Sequence, residues 1–111
     1  MDNDDNSELN VLVDLCTVPM HTGRSSVAKE VAIIQQILEK SGLKYTLHSF
    51  GTSIEGKWSD VMDVIKQCHE QLHFKHNVPR LYSTIKLGTR IDKQTSLQSK
   101  IDRVHQEMSK L

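Results

Sequence analysis

The chain has 111 residues and a formal net charge of zero, with 14 lysines and arginines against 14 aspartates and glutamates. That length fits one domain with a modest core, and the balanced charge supplies no global field to draw it to nucleic acid or an anionic membrane. No apolar run approaches the roughly 20 residues of a membrane-spanning helix, and the acidic start Met1-Asp2-Asn3-Asp4-Asp5-Asn6 is unlike a signal or transit peptide. The expected location is therefore cytoplasmic, with nuclear access open to a chain of this size.

Residues 1–8 carry no apolar periodicity and are expected to form a flexible acidic N-terminus ahead of a single domain over residues 9–111. Asn10 to Val18 reads as a strand rich in valine, leucine and threonine, with Val11, Val13, Leu15 and Thr17 on one face and Leu12, Asp14, Cys16 and Val18 on the other. Asp14 is the odd residue, and its ordinary role is a solvated or salt-bridged position. Pro19 is expected to end the strand. The loop Met20 to Ser26 then leads into a helix with Val27, Val31, Ile34 and Leu38 at helical spacing, capped by Ser25 or Ser26 and closed by Gly42. Exposed amides at its start, with Arg24, Thr22 and Ser25, also suit an anion.

Lys44 to Phe50 and Thr52 to Lys57 read as antiparallel strands joined by a tight turn at Gly51. Glu55 must face opposite to Ile54, away from the helices. Trp58, Val61, Met62, Ile65, Cys68 and Leu72 mark a second amphipathic helix, with Trp58 as a packing anchor and Ser59 as a cap. A fourth strand alternates from Leu81 to Leu87 and closes at Gly88. The last helix carries Leu97, Ile101, Val104, Met108 and Leu111 on one seam, free to cover its own sheet or a second subunit. The order gives an α+β fold, a ferredoxin-like βαββαβ sandwich with an additional C-terminal helix. Its second sheet face is too apolar to stay wholly open, so a homodimer or homotetramer is expected.

Two chemical readings compete with simple binding. His69-Glu70-Gln71-Leu72-His73 is a literal H-E-x-x-H, whose histidines share a helix face and whose glutamate activates zinc-bound water in a hydrolase. The context is poor: Asn77 and Pro79 end the helix soon afterwards, His76 is the nearest third ligand, and no metal site is expected. Cys16 and Cys68 form neither a C-x-x-C pair nor a disulfide framework and read as reduced packing residues. Gly51 and Gly56 match no phosphate-binding loop. No catalytic residue is assigned and no enzyme activity is expected.

The stretch Phe50 to Trp58 sets two hydroxyls and a carboxylate between glycines, an arrangement suited to a small polar ligand. With Asp14-Leu15-Cys16-Thr17-Val18-Pro19, the Thr22 to Ser26 loop, Val61-Met62, Cys68-His69-Glu70 and Leu87-Gly88-Thr89-Arg90-Ile91-Asp92, it resembles the small thiamine-binding, ferredoxin-like family over roughly residues 11–111. The resemblance implies a two-layer fold assembled as dimers or dimers of dimers, binding in some relatives of thiamine or its hydroxymethylpyrimidine part, no cofactor and no catalysis. Thr22, Ser25, Ser26, Gly51, Thr52 and Glu55 are the ligand-binding positions it suggests here. His21 stands where the family pattern has glycine. The alternative is a structural or interaction oligomer that keeps the fold without the ligand.

Overall fold

The computed structural model describes residues 8–93 and 96–111. Seven elements follow in order: β1 (Asn10–Met20), α1 (Ala28–Ser41), β2 (Lys44–His48), β3 (Gly51–Lys57), α2 (Trp58–Phe74), β4 (Arg80–Gly88) and α3 (Leu97–Ser109). The sheet is antiparallel throughout in the order β2-β3-β1-β4. This is the expected ferredoxin-like arrangement with its C-terminal helix. The expected acidic N-terminus lies outside the described residues apart from Glu8, whose carboxylate accepts from the Ser59 hydroxyl.

Strand alternation divides the molecule. Val11, Val13 and Leu15 of β1 and Ile54 of β3 turn to the helices and bury almost completely against Ile33, Ile34, Ile37 and Leu38 of α1 and Val61, Val64, Ile65, Cys68 and Leu72 of α2. Cross-strand partners share a face, so Asp14 lies beside Lys86 and Ser53, Val18 beside Tyr82 and Leu12 beside Glu55 on the other face. Three apolar residues there stay exposed, Val18, Met20 and Tyr82. The C-terminal cap of α1 is Gly42 at φ 77, the left-handed position that glycine adopts without steric cost.

Several expectations are corrected. Pro19 does not end β1: the strand runs to Met20, with Pro19 buried opposite Leu81. The turn between β2 and β3 is Ser49-Phe50, and Gly51 already belongs to β3. Its role is close approach, because a Cβ there would sit 2.4 Å from the Leu15 carbonyl oxygen. Val27 is the N-cap of α1 and makes no side-chain cap bond, although the Ser26 hydroxyl accepts from Ala28 N–H at 3.2 Å. Val27 and Val31 lie outside the α1 core stripe, which includes Glu30 instead. Trp58 is no buried anchor; it opens α2, part-exposed, with its N–H on the Leu9 carbonyl at 2.8 Å.

Beyond Leu97, the seam of α3 is left uncovered by the described residues. Ile101, Val104, Met108 and Leu111 are all exposed, and α3 has no buried residue. A capping box between Ser96 and Ser99 starts the helix. The Cα radius of gyration, 16.1 Å, exceeds the about 13 Å of a compact chain of this length, as expected when one helix projects from the body.

Candidate ligand-binding cleft

The end of β3 leaves a notch in the sheet. β1 continues five residues beyond Leu15, the last residue it pairs with β3, and from there only β4 pairs with it. Leu15 C=O points toward Gly51, so the alternation of a continuous strand directs the Thr17 N–H and C=O, and the Pro19 C=O, to the same side, past the end of β3. This is why proline is tolerated: its missing donor falls where no strand pairs. α1 roofs the notch with Val27, Val31 and Ile34, and the β2–β3 turn closes its flank. The resulting cleft has a volume of about 430 Å³, within the range of small-ligand sites.

Polar groups in the cleft are few and placed. Gln35 donates its amide to Thr52 Oγ1 at 3.0 Å, and Thr52 is only 4% exposed. Thr17 Oγ1 meets Ser83 Oγ at 2.8 Å, and Ser83 Oγ meets His69 Nε2 at 2.6 Å. His48 lies opposite Gly51, spans the width of β3 and reaches Asp14 on β1 at 2.6 Å. Its Nδ1 accepts the Phe50 N–H at 3.2 Å, which leaves Nε2–H to donate to Asp14. The ordinary role expected of Asp14 is the one it has, and the pair fixes the hairpin turn against β1.

The candidate positions do not form one cluster. Gly51 and Thr52 line the cleft. Thr22, Ser25 and Ser26 lie in the exposed loop ahead of α1, outside the cleft lining. In that loop the Thr22 hydroxyl bonds Arg24 main-chain atoms at 3.3 Å, and Arg24 pairs with buried Glu30. His21 takes the left-handed backbone itself at φ 61, followed by Gly23 at φ 78. Glu55 is apart from all of these. It faces the other side of the sheet, accepts the Leu97 N–H of α3 at 3.3 Å, and lines a separate cleft of about 720 Å³ with Lys44, Arg90 and Lys93.

Sequence reasoning missed Thr17, Val27, Val31 and Gln35 as one wall. The signal was available: 27, 31 and 35 recur every four residues, a stripe that begins apolar and ends in an amide. The H-E-x-x-H histidines are engaged elsewhere, His69 with Ser83 and His73 Nδ1 with the Val78 carbonyl at 2.8 Å. Among the described residues no group of three or more His, Cys, Asp or Glu side chains is arranged to hold a metal ion. Nor is any described helix long and apolar enough to cross a membrane.

Comparison with known proteins agrees with this architecture. The chain is 46% identical over 103 residues to the UPF0045 protein ECM15 of Eremothecium gossypii, covering 93% of this chain and 97% of that one. It is 43% identical over 96 residues to the UPF0045 protein sll0230 of Synechocystis, covering 86% and 78%. The crystal structure of MJ1052 from Methanocaldococcus jannaschii superposes with a TM-score of 0.78 at 25% identity, over 86% of this chain and 96% of that one. A Thermotoga maritima structure, TM0486, whose name proposes a place in thiamine biosynthesis or salvage, shares the fold at TM-score 0.70 and 19% identity, over 86% and 98%. The family model described as thiamine-binding protein matches residues 13–105, and the chain belongs to that family.

Proposed function

We propose that this protein binds thiamine, or its hydroxymethylpyrimidine part, in the cleft between β1, α1 and the β2–β3 turn, without catalysing a reaction on it. The observation that carries the reading is the unpaired edge of β1 beside the Gln35–Thr52 pair in a largely apolar cleft. An aminopyrimidine sets a ring-nitrogen acceptor beside an amino donor, and a strand edge offers the complementary N–H and C=O of one residue, here Thr17. The apolar walls from Val27, Val31 and Ile34 suit the ring faces. Family membership supports the ligand class, as does the name of the Thermotoga structure.

The 430 Å³ cleft is preferred to the larger one because two polar groups of the latter, Glu55 and Arg90, are already committed. Glu55 holds Leu97 N–H, and Arg90 clasps Asp92 through two bonds of 2.6 and 2.5 Å. The same proposal includes self-association as a homodimer or homotetramer, through the open sheet face and the α3 seam, whose exposed apolar residues have no partner within the chain's described part.

Calorimetric titration tests the reading. Thr52→Val and Gln35→Leu are each expected to weaken thiamine binding about three- to tenfold, the range of one hydrogen bond, while Glu55→Ala leaves it within about twofold. Absence of both binding heat and thermal shift at millimolar thiamine in the unaltered protein would overturn the reading and leave the structural oligomer in its place.

A further inference from the structure

The side of the cleft formed by Thr17 connects to a group outside it. Thr17 Oγ1, Ser83 Oγ and His69 Nε2 form an unbroken chain of contacts, 2.8 Å and then 2.6 Å, running from the cleft across β4 to α2. We propose that Ser83 and His69 are positioning residues that set the hydrogen-bond sense of Thr17 toward the ligand, and that protonation of His69 reverses it. The proposal rests on the cleft being the ligand site.

The hydrogen count dictates the logic. With its proton on Nδ1, neutral His69 accepts from the Ser83 hydroxyl at Nε2, Ser83 accepts from Thr17, and Thr17 turns an oxygen lone pair to the cleft. In the neutral relay this is the resting sense. An imidazolium has N–H at both positions. Ser83 then accepts from His69, which frees its own hydrogen for Thr17, and in the proposed relay the Thr17 hydroxyl turns its hydrogen outward. The neutral state suits a ligand amino group, and the cationic state repels it.

Burial first, and the neighbouring His73 second, hold the His69 imidazole below its ordinary pKa, which favours the neutral state at neutral pH. The ring centroids of the two histidines are 6.3 Å apart. The packed elements also carry Cys68 and Glu70 on α2, Arg80, Tyr82 and Lys86 on β4, Asp14 and Cys16 on β1, and Glu30 on α1 with its partner Arg24, yet His73 alone acts electrostatically on His69. Linkage then requires that a ligand preferring neutral His69 depress its pKa further.

Two measurements test this on the full chain. Thiamine affinity, followed by calorimetry from pH 8 to pH 5, is expected to fall about three- to tenfold as His69 protonates. His69→Gln, an acceptor of similar reach that does not titrate, is expected to match the unaltered protein at pH 8 and to escape that fall; protonation of thiamine itself cancels in the ratio of the two. Parallel pH profiles for the two proteins would overturn the proposal. The second arm needs no ligand: nuclear magnetic resonance titration of the His69 ring is expected to shift by about 0.3 of a pH unit in Thr17→Val, a residue His69 does not touch, and Ser83→Thr is expected to preserve it where Ser83→Ala does not. An unmoved titration in Thr17→Val sinks the relay even if thiamine binds. A moved titration with no thiamine binding at any pH keeps the relay and rejects the ligand instead.

Discussion

The two ends of β3 were read as one motif, yet they do different work. At the Thr52 end the sheet opens beside an unpaired stretch of β1, α1 supplies an apolar roof, and Gln35 pairs with Thr52 beneath it. At the Glu55 end, about 10 Å further along the strand, the side chain leaves from the opposite face and holds the first turn of α3. Residues three apart on a strand never share a face. A run of polar residues between glycines is therefore contiguous in sequence without being one site.

The two glycines give the sharpest contrast. A Cβ at Gly51 meets the Leu15 main chain at 2.4 Å, and neither backbone can move without breaking the β1–β3 ladder. At Gly56 the nearest atom is Leu43 Cδ2 at 2.7 Å, the free end of a side chain that can rotate away. Urea denaturation is expected to show Gly51→Ala destabilised by about 2–4 kcal/mol and Gly56→Ala by less than about 1 kcal/mol. Equal costs would mean that β3 is not held equally close to β1 in solution, and the notch would lose its definition.

The cysteines mark the cleft against the core. Cys16 lines the cleft and is partly exposed, whereas Cys68 is fully buried on the inner face of α2, and burial pushes its thiol up to about 11. At pH 8 that shift alone removes about 100-fold of the thiolate an ordinary thiol would have. A thiol reagent is expected to modify one cysteine per native chain quickly, with thiamine slowing that reaction, and the second only on unfolding. The same shift fixes a pH dependence. The folded state holds the Cys68 proton more tightly than the unfolded state, so its contribution is complete below pH 9 and is lost as pH rises toward 11, by about 3 kcal/mol. Rapid labelling of Cys68 would show that α2 does not seal the sheet as described.

Much of this molecule was legible from alternation and spacing. The element order, the inward face of β1, the outward direction of Glu55 and the left-handed cap at Gly42 follow from local rules that tertiary packing leaves intact. Pro19 was misread because the rule that proline stops a strand depends on which neighbour needs its N–H, and that is fixed only once β3 is known to end at Gly51. The helical spacing of Val27 and Val31 does not say what they cover, because apolar residues at that spacing look alike whether they face a strand or a cleft. The cleft exists because β3 does not pair with the last five residues of β1 while α1 passes over the gap, and no local pattern encodes that. Glu30 carried no signal at all: a carboxylate in a first helical turn is ordinary, and only the fold buries it against Arg24.

If Glu55 does not bind the ligand, its work is to hold α3. The Leu97 N–H it accepts is a single bond of 3.3 Å, so Glu55→Ala is expected to cost less than about 1 kcal/mol by urea denaturation. The consequence appears in α3 itself, whose amides should exchange with solvent faster, because no buried side chain holds that helix to its own body. Sedimentation should then separate the two ways of anchoring α3. If copies assemble through its seam, Val104→Asp dissociates the oligomer while leaving the thermal stability of the separated chain unchanged, and Glu55→Ala weakens assembly only slightly. If Val104→Asp leaves the oligomer intact, the seam is not the interface and the open sheet face must support assembly alone. If Glu55→Ala instead abolishes thiamine binding with α3 exchange unchanged, the two ends of β3 act on one ligand after all, and the division drawn from strand alternation fails.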